Sequence, residues 1–277
     1  MGNIERVTVT VDRALLSQVD GLVSVGEAKS RSHAFETLLQ RGLATHRLRK
    51  ALVLAGGTRA SLYSGSTMKP LLDVGGLKVI ERIILQLKRA GVAEIFVGLG
   101  EDGEKIVSLL KNGESYGVDI GYLWEPAGNP LGGAGGMRLA QPHLAEPFLL
   151  SYSDVLYPDL DIADLYRFHK SVGAACTLAL TNEEKPASFG VARLSGSRIT
   201  DFAEKPLSAE SHLVNAGVAV CEPSVFGFIS RAKKSSFEKD LLPALARRGK
   251  LYGYVYSGKW FDVGWGKHLA QARQVLH

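Results

Sequence analysis

From Lys50 onward, short runs of apolar residues alternate with segments of helical spacing, and this rhythm limits the fold more than any single residue does. The apolar runs fall at 51–55, 94–99, 119–124, 147–153 and 174–180. Helical patterns lie between them at about 78–90, 104–112, 136–141 and 162–171. A near-continuous apolar run belongs to a strand covered on both faces, which is how strands of a parallel sheet read. Strands separated by roughly 10–15 helical residues build crossover units, so the expected class is α/β, a doubly wound and mostly parallel sheet. Beyond about residue 185 the strands shorten, at 190–193, 199–202, 214–221 and 251–256, with one more helix at 237–247. In such sheets ligands sit at the carboxyl ends of the strands, so those loops are where chemistry is expected.

The first 46 residues have a different texture. Residues 6–11, Arg-Val-Thr-Val-Thr-Val, alternate strictly, which sends Val7, Val9 and Val11 to one face and Arg6, Thr8 and Thr10 to the other. Asp12 then caps a helical pattern, Gly26 breaks it, and Ser30-Arg31-Ser32 opens a second amphipathic helix. One strand cannot satisfy its own ladder, so it must pair with another copy or with a neighbouring sheet. Residues 1–50 also carry +3 of the chain's net +5, which hints at an anionic partner. The strand-helix-helix order over 5–44 resembles the ribbon-helix-helix DNA-binding fold. That resemblance implies a homodimer whose paired strands enter the major groove of double-stranded DNA with Arg6, Thr8 and Thr10 on base edges. It also implies that the start of the second helix offers N–H groups to phosphate. A dimerising arm without DNA binding is the plainer alternative.

Composition bounds the rest. With 45% apolar and 22% charged residues the chain is neither disordered nor fibrous, and no run approaches the ~18 apolar residues of a membrane helix. The start, MGNIERVTVTVD, mixes charge with apolar residues and is no secretory h-region, and Arg6 stands where a myristoylation motif needs Ser or Thr. Cys176 and Cys221 lack paired spacing and read as buried thiols of a reducing compartment. The expected location is the cytoplasm, away from membranes.

The first strand of the larger part ends in Leu54-Ala55-Gly56-Gly57-Thr58-Arg59, and Lys69-Pro70 follows ten residues later. Glycines after a buried strand let backbone amides approach phosphates, while Arg59 and Lys69 offer charge. Neither a Walker A spacing nor a dinucleotide fingerprint is present. Asp154 and Asp262 are carboxylates at strand ends, where a Mg²⁺ bridging phosphates would be held. Asp159-Leu160-Asp161 opens a helix and reads as capping.

In order, Leu54–Arg59, Lys69–Leu71, Pro130–Ala134, Ser153-Asp154, Phe189-Gly190, Glu204-Lys205-Pro206, Asn215-Ala216-Gly217 and Trp260–Gly264 resemble the sugar-1-phosphate nucleotidyltransferases over about 50–277. The closing part looks most like the branch that uses GTP with heptose or mannose 1-phosphate. The resemblance implies a Rossmann-like domain, an NTP and a sugar 1-phosphate as substrates, and Mg²⁺ as cofactor. It implies Arg59 and Lys69 on the triphosphate, Asp154 and Asp262 on the metal, and Leu54, Ala55, Gly56, Gly57, Thr58 and Gly132 around the nucleotide. Lys205 would bind the sugar phosphate, with Gly190, Glu204 and Asn215 completing that pocket. The loop departs from the family's Gly-Gly-x-Gly-Thr-Arg by two missing residues, and Met68 replaces the usual Pro. A transcription regulator with a degenerate transferase domain as ligand sensor therefore stays open as the second reading.

Overall fold

The computed structural model describes residues 7–45, 48–230 and 234–276, with no side chains given for 40–45. The chain divides into two compact units, 1–47 and 48–277.

In the larger unit the main sheet has nine strands among the described residues. They are β1 (Lys50–Ala55), β2 (Glu94–Leu99), β3 (Asp119–Trp124), β4 (Phe148–Tyr152), β5 (Cys176–Asn182), β6 (Gly190–Ser195), β7 (Arg198–Glu204), β8 (Leu213–Cys221) and β9 (Leu251–Val255). Their order across the sheet is β5-β9-β7-β6-β8-β4-β1-β2-β3, with β5 also bonded to β8. Parallel pairing is confined to β4-β1-β2-β3 and to β5-β9. All other pairs are antiparallel, so the expectation of a mostly parallel sheet is corrected to a mixed one. Connection length sets one of these pairs: β6 and β7 are joined by Gly196 and Ser197 alone, far short of a crossover.

Both faces are covered. Alternation along β1 sends Ala51, Val53 and Ala55 into one core and Leu52 into the other. The first core lies under α3 (Val79–Arg89), α4 (Glu104–Leu110) and α6 (Ile162–Val172), through Ile83, Ile84, Leu110 and Leu165. The second lies under α5 (Gly133–Ala140) and α7 (Leu242–Arg247), through Met137, Phe237 and Leu245. Helix α3 forms readily because Glu81 reaches back to the Lys78 N–H at 2.8 Å, and Lys88 and Arg89 sit at its negative end. Cys176 and Cys221 are free and buried as expected, yet they stand opposite each other on β5 and β8 with sulfurs 3.7 Å apart. A last helix, α8 (Gly266–Val275), has no counterpart in the sequence reading.

In the smaller unit α1 (Arg13–Ser24) and α2 (Arg31–Thr45) form where expected. Asp12 caps the first by accepting from the Ala14 N–H at 2.8 Å, and Val19, Ala28 and Ala34 are buried. The expected strand over 6–11 does not form: residues 7–12 are irregular, with Val7 74% and Val9 64% exposed, and Arg6 lies outside the described residues. Among the described residues no strand pairs with it to supply the ladder it needs. Arg31 at the start of α2 is paired with Asp20.

Candidate active site

Two cavities of about 430 and 410 Å³ open at the carboxyl ends of β1 and β4, and they share a wall made by Lys69, Asp154, Tyr152, Ser61 and Glu238. The first is the glycine-loop cavity. Leu54, Gly56, Gly57, Thr58 and Gly132 line it as the sequence predicts. Gly132 has φ of +77°, and a Cβ there would lie 2.6 Å from the Ser235 carbonyl oxygen, so only glycine fits where the loop enters α5. Ala55 is fully buried and faces the core, because alternation along β1 turns it away from Leu54. Its side chain does not line that cavity.

Arg59 also stands outside that cavity. With the loop short, Thr58 leads directly into a single helical turn, Arg59–Leu62. The guanidinium stands 3.0 Å from Asp102 and 4.4 Å from the centre of the Tyr63 ring, and it does not line the glycine-loop cavity. It lines a neighbouring cavity of about 420 Å³ together with Glu125 and Trp124. Glu125 is half-buried, and burial raises its carboxyl pKa while an N–H from Leu131 at 3.3 Å works in the opposite direction.

The shared wall carries the charge. Lys69 opens a short 3-10 turn, Lys69–Leu71, anchored by the buried Met68, and its ammonium lies 3.2 Å from Asp154. Asp154 follows β4. A two-residue ladder pairs Val155 and Leu156 with Asp262 and Phe261, which brings the second aspartate beside the first. The Val263 N–H donates to the Asp154 carbonyl at 3.0 Å and the Gly264 N–H to the Asp262 carboxylate at 2.8 Å. A Cβ at Gly264 would fall 2.9 Å from that carboxylate and 3.0 Å from the Lys69 nitrogen, so glycine permits the close approach. Burial, and then the Asp154 charge, push the Asp262 carboxyl up to about 6, against the Gly264 N–H and the lysines Lys69 and Lys205.

These residues fit a divalent cation. Two adjoining carboxylates balanced by one close lysine leave a deficit of positive charge, which adds to the effect of burial in raising Asp262. Among the described residues no group of three or more His, Cys, Asp or Glu could hold a metal alone. The two aspartates therefore suit an ion that completes its shell with water and substrate phosphates, as Mg²⁺ does.

The second cavity gathers Gly190, Glu204, Lys205 and Asn215 with both aspartates, as predicted. Lys205 holds a left-handed backbone (φ +46°), its N–H donates to the Phe189 carbonyl at 3.0 Å, and its side chain is 67% exposed toward solvent. Burial first, and Glu238 second, raise the Glu204 carboxyl. Asn215 donates to the Tyr152 hydroxyl at 3.3 Å and accepts from the Gly217 N–H at 3.0 Å.

Several site residues escaped the sequence reading. Tyr152 donates to Glu238, whose other oxygen accepts from the Ser236 hydroxyl at 2.9 Å. Lys234 and Lys239 line the glycine-loop cavity, and Trp265 lines the second one beside Trp260 of the Trp260–Gly264 stretch. His268, on α8, accepts the Asp262 N–H at 3.3 Å and stacks on Phe189. The Ser-Phe-Glu-Lys run at 236–239 signals only a capped helix start, which by itself does not point to a site.

An open α/β sheet with a glycine loop after its first strand and paired aspartates at strand ends defines a phosphate-handling protein. Residues 50–277 match the nucleotidyl transferase family, and the chain belongs to it. Among curated proteins it is 35% identical over 223 residues to a mannose-1-phosphate guanyltransferase of Yarrowia lipolytica, a match covering 78% of this chain and 60% of that protein. It is 36% identical over 226 residues to a mannose-1-phosphate guanyltransferase of Candida albicans, covering 78% and 61%. The chain thus spans about 60% of the length of these relatives. A solved structure of HddC from Yersinia pseudotuberculosis complexed with GMP-PN shares the fold, with TM-score 0.70, 21% identity and coverage of 83% of this chain and all of that one. No helix among the described residues is long and apolar enough to cross a membrane.

Proposed function

We propose that residues 50–277 transfer a nucleotidyl group from an NTP to a sugar 1-phosphate, giving a nucleotide sugar and pyrophosphate, with GTP and mannose 1-phosphate as the pair. The observation that carries this reading is the shared wall: Lys69 and Asp154 belong to both cavities, so two phosphorylated reactants meet across them. A phosphate oxygen of the sugar 1-phosphate attacks the α-phosphorus in line. The bond to the β-phosphate oxygen breaks and pyrophosphate leaves. Both reactants are anions, so the protein's work is positioning and neutralisation. Lys205 holds the sugar phosphate, Lys69 stands where charge accumulates, and Glu204 and Asn215 take sugar hydroxyls. Asp154 and Asp262 would hold Mg²⁺, which supplies charge neutralisation at the reacting phosphate. Guanine presents two N–H donors on one edge, and Glu125, on the loop's far side, is a carboxylate able to accept both. The relatives' names point to the same base and sugar.

The smaller unit, taken as residues 1–46, is proposed to pair its N-terminal strand with that of a second copy and to present Thr8, Thr10 and Arg6 to DNA. The exposure of Val7 and Val9 in the single chain supports the pairing. A regulator that uses the larger unit as a ligand sensor is the second reading, favoured by the position of Arg59 away from the glycine-loop cavity.

Pyrophosphate release from GTP and mannose 1-phosphate with Mg²⁺, lost in Asp154→Asn, is the expected result. Silence across GTP, UTP, dTTP and CTP with several sugar 1-phosphates, in folded protein, would transfer the assignment to the regulator. Substituting Arg6, Thr8 and Thr10 with Ala should remove any specific gel shift of DNA and leave turnover intact.

A further inference from the structure

A bound triphosphate needs fixed cations at its outer phosphates, because the leaving pyrophosphate gathers charge there. The glycine loop does not deliver them. Arg59 is drawn to Asp102, where the Tyr63 hydroxyl and the Lys105 ammonium also converge, and the guanidinium is stacked on Tyr63. Lys69 lines the glycine-loop cavity but spends part of its charge on Asp154 at 3.2 Å.

Two lysines from a distant part of the chain line that same cavity, Lys234 and Lys239. They flank a turn that is tied down on both sides. The Ser235 N–H donates to the Leu131 carbonyl at 2.8 Å, and the Gly135 N–H to the Ser235 carbonyl at 3.0 Å, which fixes the turn against the loop entering α5. The Ser236 hydroxyl accepts the Lys239 N–H at 3.1 Å and orients the helical start, Phe237–Leu241. No ion pair engages either ammonium among the described residues, and Lys239 acts on Glu204 only as a more distant charge. Two uncommitted cations on a braced segment, beside a glycine loop that has lost its arginine, are suited to a polyanion.

We propose that Lys234 and Lys239 are triphosphate-binding residues of this chain and take the outer phosphates in place of Arg59. The inference rests on the nucleotidyl-transfer reading of the cavity. In chemical terms the segment at 234–239 compensates for the two residues missing after Gly57, and the cations reach the phosphates from the wall beside α5.

The test is calorimetric binding of inorganic tripolyphosphate with Mg²⁺ to the full chain, alongside steady-state kinetics with GTP and mannose 1-phosphate. Lys234→Ala with Lys239→Ala should weaken tripolyphosphate binding by roughly tenfold or more, and raise KM for the triphosphate while KM for the sugar 1-phosphate holds. Lys239→Arg should restore binding to within about threefold, since charge is what the site requires. Arg59→Ala should cost less than about threefold. An unchanged double variant overturns the inference, as does a loss in Arg59→Ala as large as that of the lysine pair. Wild-type protein that binds no tripolyphosphate overturns it too. Wild-type protein that binds tripolyphosphate through these lysines but releases no pyrophosphate would instead defeat the transfer reading and leave the cations in place.

Discussion

The two cavities are close in size and share a wall, yet they differ in sign. Outside the shared Lys69, Asp154 and Glu238, the glycine-loop cavity adds Lys234 and Lys239 and no carboxylate. The other cavity adds Lys205 but also Glu204 and Asp262. On the proposed reading, one side suits a polyanion and the other a polyol that carries a single phosphate. The difference teaches how a single fold could keep two anionic reactants from exchanging places, with charge sorting them before any shape does.

The most severe way to break this comparison is to remove the wall. Asp154→Asn should lower pyrophosphate release by about a thousandfold or more, since it deletes a ligand that both reactants depend on. A loss within tenfold would mean that the cavities do not meet there. Next, Lys205→Ala should raise KM for the sugar 1-phosphate by roughly 10–100-fold and leave KM for the NTP within about threefold. Equal rises in both would erase the distinction between the two sides. A uronic acid 1-phosphate, which adds a second anion, should be used about tenfold less efficiently than its neutral hexose counterpart, and Glu238→Gln should narrow that gap. Identical efficiencies would show that the carboxylates do not read the sugar.

The smallest effect concerns Asp262 and runs in two directions. Its carboxyl is raised to about 6, so the folded protein holds that proton more tightly than the unfolded chain does. The resulting contribution to stability is full below the ordinary aspartate range and is lost as pH rises through about 6. At neutral pH the ionised group is therefore a burden in metal-free protein, and Asp262→Asn should stabilise it by roughly 1–2 kcal/mol in chemical denaturation while abolishing turnover. Turnover with Mg²⁺ should fall at a pH below about 6, because the bound cation favours the ionised carboxylate and protons must displace it. A destabilised Asn variant would show that Asp262 is a structural residue.

Much of the larger unit was legible because its signals are local. Apolar runs placed β1 to β4, and their position at strand ends marked both aspartates, Asp154 and Asp262. What escaped depends on contacts distant in sequence. The antiparallel half joins strands that, apart from the β6–β7 hairpin, lie far apart in sequence, and single-strand patterns do not reveal such pairings. Ala55 was misplaced because a loop motif says nothing about which side of a strand faces the cavity. The position of Arg59 depends on Asp102 and Tyr63, neither of which has any motif linking it to the loop. Lys234 and Lys239 belong to a segment whose composition is that of an ordinary surface turn, and only its hydrogen bonds to Leu131 and Gly135 bring it to the site. In the smaller unit the helices carry their own caps and form alone, whereas the strand needs a partner that one chain cannot provide.

The pairing of residues 155–156 with 261–262 has a consequence for the history of each molecule. The glycine loop, Lys69 and Asp154 leave the ribosome early, but Asp262 is made more than a hundred residues later. Until that short segment docks, the nascent chain has a nucleotide cavity and no complete cradle for a cation. If the site carries the proposed transfer, chemistry would be withheld until residues 261–262 are in place, and a molecule in which that short pairing has frayed would be silenced in the same way.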